Sequence, residues 1–198
     1  MGRKPRQWIP SLFYHVGSRG NRREPLYNDQ EDYQIFFYIM KQVYEKHPFE
    51  LASYCLMTNH YHLQIRSMEV PLSNIIGRIN KRYADYFNKK NESSGHLFEK
   101  RFFDSVINTE EGMLKISQYI HLNPKNAQIV SSPHDYPYSS YSTILDPQQS
   151  HLQKYRMPYL NSSLLLNYFP GVSHEEKVRA YQNYVEGSGA CHRPNYVE

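Results

Sequence analysis

Apolar residues along the chain recur with two periods, two and about 3.6, and the order in which these alternate sets out the fold. Leu12-Phe13-Tyr14-His15-Val16 is β-prone, and Gly17-Ser18-Arg19-Gly20-Asn21-Arg22-Arg23 reads as a loop that ends it. Tyr33, Phe36, Phe37, Ile39, Met40 and Val43 lie at helical spacing and predict a helix over about 29–45, capped by Asn28. Residues 49–57 and 60–66 are two β-prone runs separated by Thr58-Asn59, the spacing of a tight hairpin. A second helical stripe, Leu72, Ile75, Ile76, Ile79, Tyr83, Tyr86 and Phe87, runs over 71–88. The segment 96–107 predicts one or two further strands. Thr109, with Glu110 and Glu111 behind it, then caps a third helix carrying Met113, Ile116 and Ile120, which Pro124 ends.

Strand, helix, strand, strand, helix, strand, helix is the order of an α+β fold, a ferredoxin-like antiparallel sheet with helices packed on it. That unit takes residues 1–130. Residues 131–198 form a C-terminal extension, with short helices predicted at 162–168 and 175–185 and a flexible tail from Gly187.

Composition adds a partner class. The 198-residue chain carries a formal charge of +4, and its lysines and arginines are clustered. Nineteen tyrosines and nine phenylalanines interleave with those cations, which suits single-stranded nucleic acid, although any one tyrosine reads first as packing. The Arg19, Asn21, Arg22, Arg23 loop could cradle phosphate or be a solvated turn. Arg78, Lys81 and Arg82, off the second helical stripe, read as a solvated face or as the wall of a nucleic-acid groove. Lys100 and Arg101 stand beside Phe102 and Phe103. The two cysteines, Cys55 and Cys191, share no motif. They predict a reducing cytoplasmic setting, and no apolar run reaches membrane-spanning length.

Candidate chemistry sits in Thr58-Asn59-His60-Tyr61-His62-Leu63-Gln64. On a strand, His60 and His62 share one face and Tyr61 the other, so the two imidazoles could hold one divalent cation and leave coordination positions open. Tyr119 and Asn123, four residues apart, share a helical face. If that face meets the strand, two imidazoles and an amide oxygen surround a cation with a phenol beside it. The plainer alternatives are a decorative His-x-His and an interface tyrosine. Asn123 also precedes a proline, which disfavours helical geometry, and His121 stays open as a ligand. Neither Cys-x-x-Cys nor His-Glu-x-x-His occurs, which argues against structural zinc and metalloprotease chemistry.

Five stretches extend this reading: Tyr14-His15-Val16 through Arg19-Gly20-Asn21-Arg22; Met57-Thr58-Asn59-His60-Tyr61-His62; Gly95-His96-Leu97-Phe98 through Arg101-Phe102; Tyr119-Ile120-His121-Leu122-Asn123-Pro124; and Asp135-Tyr136-Pro137-Tyr138-Ser139-Ser140-Tyr141. In order and spacing, over about residues 12–145, they resemble the REP-associated tyrosine transposases of the single-tyrosine HUH family. Tyr61 departs from the usual aliphatic residue between the histidines.

The resemblance implies that His60 and His62 are metal ligands, Asn123 a third ligand and Tyr119 the nucleophile. It also implies Mg²⁺ or Mn²⁺ as cofactor and hairpin-bearing single-stranded DNA as partner, cut and rejoined through a 5′-phosphotyrosine. The loop at 19–23 and the basic arm at 1–6 would help to hold that DNA. The C-terminal extension points to a monomer, with a dimer as the alternative. The rival reading is a non-catalytic hairpin DNA- or RNA-binding protein.

Overall fold

The computed structural model describes residues 8–146 and 157–187; the basic arm and the predicted flexible tail lie outside them. Four strands, β1 (Phe13–Arg19), β2 (Glu50–Met57), β3 (His60–Arg66) and β4 (Phe103–Ile107), form one antiparallel sheet in the order β2-β3-β1-β4. Helices α1 (Gln30–Tyr44) and α2 (Leu72–Lys90) connect them in ferredoxin-like fashion, and α3 (Glu110–Asn126) follows β4. The predicted α+β class is the observed one.

Both faces of the sheet are covered. Tyr14, Val16, Tyr61, Leu63 and Ile65 share a core with Phe36 and Met40 of α1 and Ile75 and Ile79 of α2. Phe13, Ala52, Cys55 and Met57 point the other way and pack with Met113, Ile116 and Ile120 of α3. This double burial is why β2 is buried almost end to end.

Four local expectations change. Strand β1 runs on through Gly17 and Ser18 to Arg19, because these residues pair with β3 on one side and Gly17 with Phe103 of β4 on the other. A Cβ on Gly17 would sit 2.3 Å from the Phe103 ring and 2.8 Å from the Tyr61 carbonyl oxygen, so the residue is required by close approach rather than by a turn. The loop shrinks to a 3₁₀ turn at Asn21–Arg23, with Arg22 and Arg23 at φ 52° and 64°. Asp29, not Asn28, caps α1, accepting from the Asp32 N–H at 3.1 Å, while Asp32 accepts from the Asn28 N–H at 2.7 Å.

The segment 96–107 holds a single strand, preceded by an isolated bridge from Gly20 to Phe98. Helix α3 does not stop at Pro124. It continues to Asn126, since the proline removes only one hydrogen bond near an end that the Ala127 N–H closes on the Asn123 carbonyl at 2.9 Å.

Among the described residues three short helices follow: α4 (Tyr141–Leu145), which the sequence pattern does not predict, then α5 (Ser163–Leu166) and α6 (His174–Gly187). The extension covers the outer edge of β2, where Leu56 donates to the Tyr138 carbonyl at 2.9 Å and Ser140 to the Tyr54 carbonyl at 3.0 Å. Its Tyr141, Ile144, Leu165, Tyr181 and Val185 share the α3 core. No helix among the described residues is long and apolar enough to cross a membrane.

Candidate active site

The tight turn at Thr58-Asn59 opens β3 directly on His60. Pairing with β1 sets Arg19 opposite His60, Gly17 opposite His62 and His15 opposite Gln64, so all six lie on the face that α3 covers. The His60 and His62 rings stand 5.0 Å apart and nearly perpendicular. His60 Nδ1 lies 2.7 Å from Asn59 Oδ1, and His62 Nδ1 lies 3.0 Å from His15 Nε2. With both Nδ1 atoms engaged inside the protein, ligation of a cation falls to the two Nε2 atoms.

Helix α3 is positioned at both ends. Thr109 caps it, accepting from the Gly112 N–H at 3.0 Å. Gln64, buried on the same face as the histidines, accepts from Ser53 Oγ at 2.7 Å and donates to the Met113 carbonyl at 3.0 Å, which pins the first turns of the helix to the sheet. Further along, Gln118 donates to the Tyr184 carbonyl of α6 at 2.7 Å. Held in this way, the Tyr119 ring meets His62 edge-on at 5.4 Å and His15 at 5.7 Å. One turn later Asn123 donates from Nδ2 to the Tyr119 carbonyl at 2.7 Å, which leaves Oδ1 as the atom that could meet a cation.

One pocket is lined by His60, His62, Tyr119 and Asn123 together with Arg19, Lys100 and Arg101. The Glu99 N–H donates to the Arg19 carbonyl at 3.0 Å and so carries Lys100 and Arg101 to the rim. The other residues of the predicted DNA-binding set lie elsewhere. Asn21 borders a separate depression with Asn88 and Asn91, and Arg22 and Arg23 are exposed on their turn. Arg78, Lys81 and Arg82 line a depression with Lys46 and His47, on the helical layer across the sheet from α3. There Lys81 pairs with Asp85 at 2.8 Å and Arg82 with Gln42.

A family model described as "Transposase IS200 like" matches residues 9–123, more than half of the chain. The chain belongs to this transposase family. The matched span contains His60, His62, Tyr119 and Asn123 and stops at Asn123, so the extension lies beyond it. A Haemophilus influenzae protein named as a REP-associated tyrosine transposase is 28% identical over 113 residues, 51% of this chain and 64% of the relative, less than two thirds of that protein's length. Among solved structures, that of a REP-associated tyrosine transposase bound to a REP hairpin aligns with a TM-score of 0.64 over 76% of this chain and 88% of that one. Its identity is 19%, and the likeness is one of fold.

The donor set of the pocket can be tested against the divalent cation that the sequence resemblance implies. Among the described residues, no three His, Cys, Asp or Glu side chains form a metal-holding group. Two imidazoles and one amide do share the pocket. Two nitrogens and one neutral oxygen fit a cation held with positions left open for substrate, not a closed structural site.

His121 does not join them. It is fully buried, with Nε2 2.8 Å from Ser140 Oγ and Nδ1 2.8 Å from the Tyr181 hydroxyl, and desolvation pushes its pKa down to about 3. Burial likewise pushes the Cys55 thiol far up, which rules it out as a nucleophile at neutral pH. His15 is the residue that sequence reasoning passes over. Its period-two relation to Gly17 is visible in the chain, but its place behind His62 depends on the β1–β3 register.

Proposed function

We propose that this transposase-family protein cuts and rejoins single-stranded DNA beside a hairpin through a 5′-phosphotyrosine on Tyr119. The observation that carries the reading is the single pocket that holds the Tyr119 phenol, the His60 and His62 imidazoles, the Asn123 amide and three cationic side chains of one chain. His60, His62 and Asn123 would hold Mg²⁺ or Mn²⁺, whose contribution when bound is Lewis-acid polarisation of the scissile phosphodiester.

The chain's own residues supply the rest. Arg19, Lys100 and Arg101 would meet the phosphates on either side of the cut and neutralise their charge. The packed α3 would hold the Tyr119 hydroxyl for in-line attack, which lowers the entropic part of the barrier. The hydroxyl gives up its proton as its oxygen bonds to phosphorus. The phosphorus–O3′ bond breaks with O3′ taking up a proton to leave as a 3′-hydroxyl, so that the net step moves one proton from phenol to O3′. Attack on the phosphotyrosine by another 3′-hydroxyl reverses these changes and joins strands without a nucleotide cofactor. The hairpin partner is suggested by the structure of like fold that is bound to a REP hairpin. Because the tyrosine helix packs on the sheet of its own chain, a monomer can complete the site.

The test is incubation with single-stranded hairpin DNA and Mn²⁺. Wild-type protein forms a covalent DNA adduct that survives denaturation, and Tyr119→Phe forms none while still binding the hairpin. Absence of an adduct across a broad set of hairpins would instead mark a non-catalytic binder. Cleavage that persists in Tyr119→Phe would mark a phosphodiesterase using activated water.

A further inference from the structure

His15 lies outside every role given above, yet it is fully buried directly behind His62, which lines the pocket. Its ring meets His62 at 5.0 Å, tilted by 39°, with Nε2 3.0 Å from His62 Nδ1. Phe103 covers the pair, edge-on to His15 at 5.1 Å and 5.9 Å from His62, in the space that Gly17 leaves for its ring. An apolar residue would fill this position without the cost of burying a polar ring, so the imidazole calls for a reason beyond packing.

The reason lies in which atom carries the shared hydrogen. Two neutral imidazoles joined Nε2 to Nδ1 have two arrangements. If His15 donates, His62 carries its own hydrogen on Nε2 and has no lone pair there for a cation. If His62 donates from Nδ1, its Nε2 presents the lone pair. Only the second arrangement makes His62 a ligand, and a partner behind the ring also fixes the plane in which that lone pair points.

Resting on the metal-dependent reading above, we propose that His15 is a positioning residue that accepts from the Nδ1–H of His62 and holds it in the tautomer and orientation of a metal ligand. His15 would touch neither metal nor DNA. Its effect is on how well the pocket takes a cation before any substrate arrives.

The experiment titrates Mn²⁺ into DNA-free protein, following free Mn²⁺ by electron paramagnetic resonance, and measures hairpin binding separately in chelator. His15→Phe keeps the volume and loses the acceptor. It should weaken Mn²⁺ binding by about 10- to 100-fold, as loss of a partner behind a ligand does, with hairpin affinity in chelator unchanged. His15→Gln, whose amide oxygen can accept the same hydrogen, should recover most of the loss. A folded His15→Phe that binds Mn²⁺ within about twofold of wild type overturns the proposal, and so does a His15→Gln as weak as His15→Phe. In wild-type protein, imidazole ¹⁵N spectra should show His62 with its hydrogen on Nδ1; the opposite tautomer overturns the proposal whether or not the variants fold. Wild-type protein that takes up no Mn²⁺ sinks the metal-dependent reading and this inference with it, whereas wild-type uptake with an indifferent His15 sinks the inference alone.

Discussion

Neighbouring residues of β3 face two different environments. Tyr61, Leu63 and Ile65 are fully buried against α1 and α2, where Tyr61 meets Phe36 at 5.2 Å and its hydroxyl donates to Asn80 Oδ1 at 2.7 Å. His60, His62 and Gln64 meet α3 instead, and there the sheet is tied by hydrogen bonds to Asn59, His15, Ser53 and Met113. One face is filled by interlocking rings and aliphatic groups. The other is held open by polar pairs. Hydrogen bonds offset the desolvation of those side chains but contribute little net stability, so the pocket face can keep a gap that the packed face cannot tolerate. The same strand thereby separates stability from chemistry by residue parity.

The sharpest way to break that separation is to cut one residue on each face. Leu63→Ala, in the filled layer, should lower unfolding free energy by about 3 kcal/mol in urea titration while the folded fraction binds Mn²⁺ as wild type does. His62→Ala should do the reverse, losing Mn²⁺ uptake and DNA cleavage with a smaller loss of stability. If folded Leu63→Ala also loses Mn²⁺ uptake, the two faces are one cooperative unit and parity does not divide them.

Gly17→Ala sharpens the comparison from the seam between strands. A methyl group there meets the Phe103 ring at 2.3 Å and the Tyr61 carbonyl at 2.8 Å, and only the ring can move. We expect a loss of about 2 kcal/mol, in the range of overpacked sites, together with a drop in cleavage as Phe103 is pushed off the His15–His62 pair. A variant that is destabilised yet fully active in its folded fraction would show that the cover over the histidines is only structural.

Parity was legible in the chain because alternation on a strand is local. His60 and His62 could be assigned to one face and Tyr61 to the other from spacing alone, and the stripes of α1 and α2 likewise follow from local period. What is set by pairing at a distance was not legible. Gly17 and Ser18 have turn-like composition and become strand only because β3 lies alongside. His15 reaches His62 through a register that spans 47 positions of sequence. The approach of Tyr119 depends on how α3 docks. That docking is governed by Gln64 from the sheet and by α6, whose contribution of a backbone carbonyl to Gln118 leaves no side-chain signature to read.

The smallest effect concerns a histidine on the sealed side of α3. Ser140 Oγ lies 3.2 Å from the Tyr54 carbonyl and 2.9 Å from the Tyr54 N–H. If it donates to the first and accepts from the second, His121 must donate to it from Nε2 and accept from the Tyr181 hydroxyl at Nδ1. That arrangement exists only for the neutral ring, in keeping with a pKa pushed from the ordinary 6.5 down to about 3 by burial. Below pH 6.5 the unfolded chain therefore takes up a proton that the folded chain refuses. The associated stability is fully present above 6.5 and is lost as pH falls towards 3. Between pH 7 and 5.5 the loss from this ring should be about 1 kcal/mol, read as the difference in slope between wild type and His121→Gln in urea titrations at each pH. The variant should be less stable throughout yet flatter over that window. Equal slopes would mean that the folded chain admits the proton, so that α6 and α3 part more readily than their buried contacts imply.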